Sequence, residues 1–208
     1  MDPDWDEIWA KHPALRDLPA SLRETAHRQD FATDELLYRR GQPPEAMLCV
    51  LEGEIRLVRS ARAGTQVLLQ RSRGGFIAEA SMDAAAYHCD IVAAEDGHLL
   101  AFPLAAFRTA LERSLAFNAA WIARLSRELR RQRARSERLS LNSAAERILH
   151  FIEAEGEGGA IRLTESRKAW AAELGLSHEA LYRALARLQR DGTLVISGPR
   201  IALASDTT

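Results

Sequence analysis

Apolar positions along the 208-residue chain change their period twice. In residues 1–30, Trp5, Ile8 and Trp9 stand at i, i+3 and i+4, which is one face of a helix. Pro13 and Pro19 interrupt the pattern beyond it, so this stretch reads as short helices. From about residue 35 to 103 the runs are short and β-rich. Strands are predicted at Glu35–Arg40, Met47–Glu52, Glu54–Ser60, Thr65–Arg71, Tyr87–Ala93 and His98–Phe102. Gly41, Gly53, Gly64, Gly74-Gly75 and Gly97 are read as the turns between them. Glycines at this spacing suit a meander or small barrel, and no solenoid-type repeat is visible.

After Pro103 the helical period takes over. Residues 104–139 contain neither Gly nor Pro and are rich in Ala, Leu, Arg and Glu. Ile122, Leu125, Leu129, Gln132, Ser136 and Leu139 recur at alternating spacings of three and four, a heptad seam with two polar interruptions. The segment is either one helix packed on its own β domain or the helix of a two-stranded dimer. Between Trp121 and Arg138, seven arginines stand against two glutamates. They read as a solvated face that would also repel a parallel partner unless matched. Ser143-Ala144-Ala145-Glu146 has capping-box spacing, and the helix it opens runs to about Glu155 before Gly156–Gly159. A second domain is expected from about Asn142.

The stretch from Ser166 to Gly192 has the pattern of a helix-turn-helix. Ala171 is the small residue where two helices cross closely, four residues before the turn glycine, Gly175. Trp170, Leu174, Leu176, Leu181, Leu185 and Leu188 take inward positions. Ser166 and Ser177 are placed to cap the first and second helix. His178, Glu179, Tyr182 and Arg183 are left on the outer face near the second helix's N-terminus. Beyond Asp191-Gly192, Thr193–Ile196 and Arg200–Leu203 flank Ser197-Gly198-Pro199 as a hairpin wing.

Charge and composition sharpen this picture. The net charge of −1 hides an asymmetry: residues 1–107 hold 11 Lys and Arg against 17 Asp and Glu, and residues 108–208 hold 17 against 12. The basic second half suits an anionic partner. No apolar run is long enough to span a bilayer, and the acidic N-terminus lacks a signal-peptide pattern, so a cytoplasmic protein without membrane association is expected. Two cysteines, Cys49 and Cys89, make neither a disulfide framework nor a four-cysteine metal site. The six histidines (His12, His27, His88, His98, His150, His178) are scattered with no H-x-H pair, so no metal site is assigned. Phosphate-loop and nucleophile-elbow motifs are also missing, and an enzyme is not expected.

Over nearly its whole length, Trp5 to Leu203, the chain resembles the cyclic-AMP receptor protein/fumarate-nitrate regulator (CRP/FNR) family of bacterial transcription factors. Leu51-Glu52-Gly53-Glu54-Ile55-Arg56-Leu57 is similar to the family's hairpin signature, and Gly74-Gly75-Phe76-Ile77-Ala78-Glu79 to the approach to its phosphate cassette. Leu176 to Arg183 is similar to the start of its recognition helix. The resemblance implies an α+β chain in three parts. These are a cyclic-nucleotide-binding-type β-roll at 1–103, a dimerisation helix and hinge at 104–141, and a winged helix-turn-helix at 142–208. It also implies a homodimer that reads a palindromic operator in double-stranded DNA through residues 177–190. Base and phosphate contacts are then expected from Ser177, His178, Glu179, Tyr182, Arg183 and Arg200, and RNA polymerase is a further partner if the protein activates.

Departures from the family concern the effector. The candidate pocket is Ala78, Glu79, Tyr87, His88, Arg135 and Ser136. Ala78 stands where cyclic-nucleotide binders have glycine, and Tyr87-His88 where they place Arg followed by Ser or Thr. Arg135-Ser136 stands where they have Thr-Ser. Without that arginine a cyclic phosphate lacks its bidentate partner unless another one, Arg133 or Arg135, takes over. Cyclic AMP is therefore not expected as effector. An iron–sulfur cluster is not expected either, because no cysteine precedes Cys49. Redox or haem sensing through Cys49, Cys89 or His88, and a roll acting through protein contacts only, are the competing readings.

Overall fold

The structure, a computed structural model, describes residues 3–60, 66–163 and 166–204. The turn predicted at Gly64 and the strand start predicted at Thr65 lie outside these residues. The chain divides into two compact units after Trp121.

In the first unit, α1 (Trp5–Lys11) begins where the Asp4 carboxylate accepts from the Asp6 and Glu7 amides. A 3-10 turn over Pro13–Asp17 and α2 (Ala20–Arg23) come next. Six antiparallel strands then form one sheet: β1 (His27–Phe31), β2 (Leu36–Tyr38), β3 (Ala46–Ser60), β4 (Gln66–Ser72), β5 (Gly75–Ile77) and β6 (Asp90–Pro103). The main order is β1-β6-β3-β4, with β2 also paired to β6 and β5 to β3.

The structure corrects three sequence expectations about the strands of this unit. Residues 27–31 form a strand and not part of a helical region. β1 lies at the sheet edge with only Phe31 buried, so its polar side chains carry no period to read. The turns predicted at Gly53 and Gly97 are bends inside two long strands. A Cβ on Gly53 would sit 2.5 Å from the Asp96 carbonyl oxygen, and one on Gly97 would sit 2.1 Å from that of Glu52. Each glycine lets the opposite backbone approach, and the β3–β6 register shifts around them. Finally, the strand predicted from Tyr87 begins at Asp90. The Tyr87 amide donates to the Gln42 carbonyl at 2.8 Å and its carbonyl accepts from Gly41 at 2.9 Å, so its backbone is committed to a turn.

Leu48, Val50, Ile55, Leu57, Ile77, Ile91 and Leu99 fill the interior of the roll. On the other face of β3, Glu54 is fully buried. Arg56 Nε lies 2.7 Å, Arg71 Nε 3.3 Å and Arg73 Nη2 2.9 Å from its carboxylate, so the buried charge is compensated.

The helical segment predicted without interruption from 104 is broken once, between α3 (Leu104–Arg113) and α4 (Leu115–Ser140). Ser114 adopts an extended backbone, and its Oγ accepts from the Phe117 amide at 3.2 Å. A serine that caps the next helix competes with helix continuation, which needs no Gly or Pro to end it. Trp121, at the end of this unit, packs edge-on against Phe76 and Phe107 at ring distances of 5.1 and 4.9 Å.

In the second unit, Ser143 and Glu146 close the predicted capping box on α5 (Ala144–Glu155). Beyond it lie α6 (Arg167–Glu173) and α7 (His178–Arg190), while β7 (Ala160–Arg162), β8 (Leu194–Ser197) and β9 (Arg200–Leu203) form a sheet of order β7-β9-β8. Trp170, Leu174, Leu181, Leu185, Leu188, Ile148 and Ile152 form one core. Arg138, read from sequence as part of a solvated arginine face, is 1% exposed instead. Its guanidinium lies 4.5 Å from the Phe151 ring centre and 3.3 Å from the Glu155 carboxylate. Burial pulls its pKa down, and Glu155 opposes that shift.

Candidate nucleic-acid interface and effector pocket

Ser166 Oγ accepts from the Ala169 amide at 3.2 Å and Ser177 Oγ from the Ala180 amide at 3.1 Å, so both predicted caps form. Gly175 turns the chain between the helices at φ +64°, a conformation an L side chain rarely adopts. Leu181, Ala184, Leu185 and Leu188 bury one stripe of α7. The opposite stripe is exposed and carries His178, Glu179, Tyr182 and Arg183. Glu179 and Arg183 are one turn apart. The first-turn position of Glu179, beside the free amides behind the cap, is favourable for its charge.

Arg200 is exposed at the hairpin tip, paired in register with Ser197. Its neighbour on the other side is Arg162, also exposed. Arg162 was not legible from sequence, because the three-residue strand β7 has no readable period. Like charges directly opposite in a sheet repel unless an anion lies across them. Two arginines on adjacent strands therefore suit a phosphate backbone.

Along α4, Ile122 is 58%, Leu129 52% and Leu139 45% exposed, and Leu125 is half-buried. Gln132 and Ser136 are exposed on the same helix. Leu115, 87% exposed, extends the seam by one heptad. The seam read from sequence began at Ile122, because the break at Ser114 that makes Leu115 the first residue of the helix was not legible.

On the roll, Ala78 and Tyr87 belong to one apolar cluster with Ile77 and Cys89. Ala78 takes the left-handed conformation (φ +60°, ψ +23°) although it is not glycine, and it precedes a 3-10 turn over Glu79–Ser81. Tyr87 is 2% exposed, meets the tilted ring of Tyr38 at 5.3 Å between centres, and donates to the Ala46 carbonyl at 3.5 Å. Burial pushes its phenol far up from the ordinary value. His88 Nδ1 lies 3.3 Å from Ser81 Oγ. Arg59 donates to the His88 carbonyl from Nε at 3.1 Å and Nη2 at 2.9 Å, so a guanidinium unforeseen from sequence stands beside the cassette. Both cysteines are buried, and burial pushes the Cys89 thiol up, which holds it in the unreactive protonated form. Arg135 and Ser136 belong to the second unit. Among the described residues, no cluster of three His, Cys, Asp or Glu could hold a metal ion, and no helix is long and apolar enough to cross a membrane.

A β-roll in the first unit and a winged helix-turn-helix in the second define the architecture of the chain. Residues 28–114 match the family model of the cyclic nucleotide-binding domain. No curated protein matches the chain. Among solved structures, FixK2 from Bradyrhizobium japonicum is similar at a TM-score of 0.61 and 22% identity, over 86% of this chain and 92% of that one. DNR from Pseudomonas aeruginosa is similar at 0.53 and 20%, over 98% and 95%. CLP from Xanthomonas campestris, a c-di-GMP responsive global regulator, is similar at 0.54 and 22%, over 88% and 95%. These are transcription regulators of the CRP/FNR family, and this chain has their fold.

Proposed function

We propose that this protein is a dimeric, sequence-specific DNA-binding transcription regulator of the CRP/FNR type, with an effector other than cyclic AMP or none. The observation that carries the reading is the exposed face of α7, where Glu179 and Arg183 stand one turn apart on a serine-capped helix. A guanidinium suits the O6/N7 acceptor pair of guanine, and a carboxylate accepts from cytosine N4. In this reading Ser177 and the first amides of α7 contact phosphate, as do Arg200 on the wing and Arg162 on the neighbouring strand β7. Apolar seam residues that stay exposed on α4 support a second copy as partner, which matches the two-fold symmetry of a palindromic site.

The test is selection of binding sites from random duplex DNA with the full chain. An inverted repeat with half-sites about one helical turn apart, each holding a G·C pair, is expected. Arg183→Ala costs about 1–3 kcal/mol on that site and relaxes the preference at that pair alone. Failure to enrich any sequence overturns the reading.

A further inference from the structure

Tyr182 is unusual on its helix face: it is a large ring among charged and polar side chains, and it is 42% exposed. It is also held from two sides. His178, one turn earlier on α7, meets it edge-on with ring centres 4.6 Å apart and planes at 64°. Arg167, from the start of α6, places its guanidinium 5.3 Å from the ring centre. A cation over an aromatic face is attracted by the ring quadrupole. One contact comes from the ring's own helix and the other from the neighbouring helix, so the side chain is fixed before any partner arrives. Fixing a side chain in advance removes an ordering cost from binding.

We propose that Tyr182 is a specificity-determining residue that reads the C5-methyl group of a thymine in each half-site, and that Arg167 is the positioning residue that holds it there. This rests on the DNA-binding reading above. Among base-edge features in the major groove, the thymine methyl is the apolar one, and apolar side-chain surface is what recognises it. The ring is the large apolar surface on this face, between Glu179 and Arg183 in sequence. Its A·T pair therefore lies next to the G·C pair assigned to Arg183. Arg167 acts through the ring: its head is occupied by Tyr182, and its contribution to base choice disappears when the ring is removed.

The experiment uses the full-length protein and its selected operator, with each thymine replaced in turn by deoxyuridine, which deletes only the methyl group. At one position per half-site the wild type loses about fourfold in affinity, the worth of one buried methyl. Tyr182→Phe keeps that ratio. Tyr182→Ala abolishes it while keeping the guanine preference set by Arg183. Arg167→Ala shrinks the thymine-to-deoxyuridine ratio, whereas a plain phosphate contact lowers affinity equally on both duplexes. If the wild type binds its operator with no deoxyuridine-sensitive position, the Tyr182 assignment is overturned and the DNA-binding reading stands. An equal loss on both duplexes for Arg167→Ala overturns its positioning role. If no operator is selected at all, both readings fall.

Discussion

Arg147 donates from Nη1 to the carbonyl oxygen of Gly175 at 3.1 Å, and so ties α5 to the turn of the helix-turn-helix. The same guanidinium bonds the carbonyls of Leu174 at 3.3 Å, Leu141 at 3.0 Å and Leu139 at 3.3 Å. Carbonyls at helix ends lack partners within their helices, and a cation there meets the negative end of the dipole. One side chain therefore completes the ends of both α4 and α6. Leu139 packs against the same turn, because a Cβ on Gly175 would lie 2.7 Å from its Cδ2.

Removing this tie has a local signature. Hydrogen bonds from a charged donor are worth about 1.5–3 kcal/mol, so Arg147→Met accelerates amide exchange in α6 and the 174–176 turn by about ten- to a hundredfold. Exchange in the roll strands stays unchanged. Equal rates in α6 for variant and wild type would show that the ends are held by packing alone.

Arg147 also illustrates what could be read in advance. The pattern of Leu174, Gly175, Ser177 and Leu181 specifies the helix-turn-helix because each residue acts locally, through a cap, a turn or one helix stripe. Arg147 acts across 28 residues of sequence through backbone carbonyls, and no periodicity records that. The same holds for Glu54 with Arg56, Arg71 and Arg73, where a carboxylate that looks like an exposed strand position is buried by three cations. Gly53 and Gly97 signal a departure from regular strand geometry, but whether the chain turns or bends depends on the opposite strand. Around the candidate cassette, the unusual residues Ala78 and Tyr87 were legible and the approach of Arg59 from β3 was not.

The seam on α4 predicts a stable dimer. In a parallel two-stranded coil, Leu115, Ile122, Leu129 and Ser136 occupy one core position, and Leu125, Gln132 and Leu139 the other. Glu128 then faces Arg133 of the partner subunit, which offsets part of the arginine repulsion. Leu125→Asp with Leu129→Asp yields monomers in sedimentation equilibrium. Glu128→Arg weakens the dimer by about 1 kcal/mol at most, and adding Arg133→Glu restores it. A wild-type monomer at micromolar concentration contradicts the seam.

Ala78 predicts a stabilising substitution. An L residue in the left-handed region costs about 1–2 kcal/mol, and glycine removes that strain at a smaller cost in unfolded-chain entropy. Ala78→Gly raises the denaturation midpoint of the roll by a net gain of up to about 1 kcal/mol. A lowered midpoint would mean that the methyl group's packing outweighs the strain.

His98 predicts an acid-side loss of stability. Burial, aided by the charges of Arg28 and Lys11 and opposed by Glu52 and Asp30, depresses its pKa below the ordinary 6.5. The native state therefore takes up its proton at lower pH than the unfolded chain does. The contribution is full above 6.5 and is lost as pH falls through the depressed value. His98→Gln flattens the stability profile in that window, and an unchanged slope would assign it to other groups.

The last prediction, from Tyr87, is that cyclic AMP does not bind. Its ring is buried where the family's binders place a phosphate arginine, and Arg59 spends two donors on the His88 carbonyl. A cyclic phosphate entering here would lose a bidentate charged pair, worth about 1.5–3 kcal/mol per bond, and would have to displace a packed ring. Calorimetric titration of the full chain with cyclic AMP is therefore expected to show no binding at micromolar concentrations, at least about a hundredfold weaker than a site with the arginine in place. A low-micromolar dissociation constant reverses this conclusion. Loss of that binding in Arg59→Ala would then identify Arg59 as the substitute partner, while retention would assign the phosphate to another group. With no nucleotide bound, operator affinity of the purified protein is the same with and without cyclic AMP, because a ligand that binds neither state shifts no equilibrium between them.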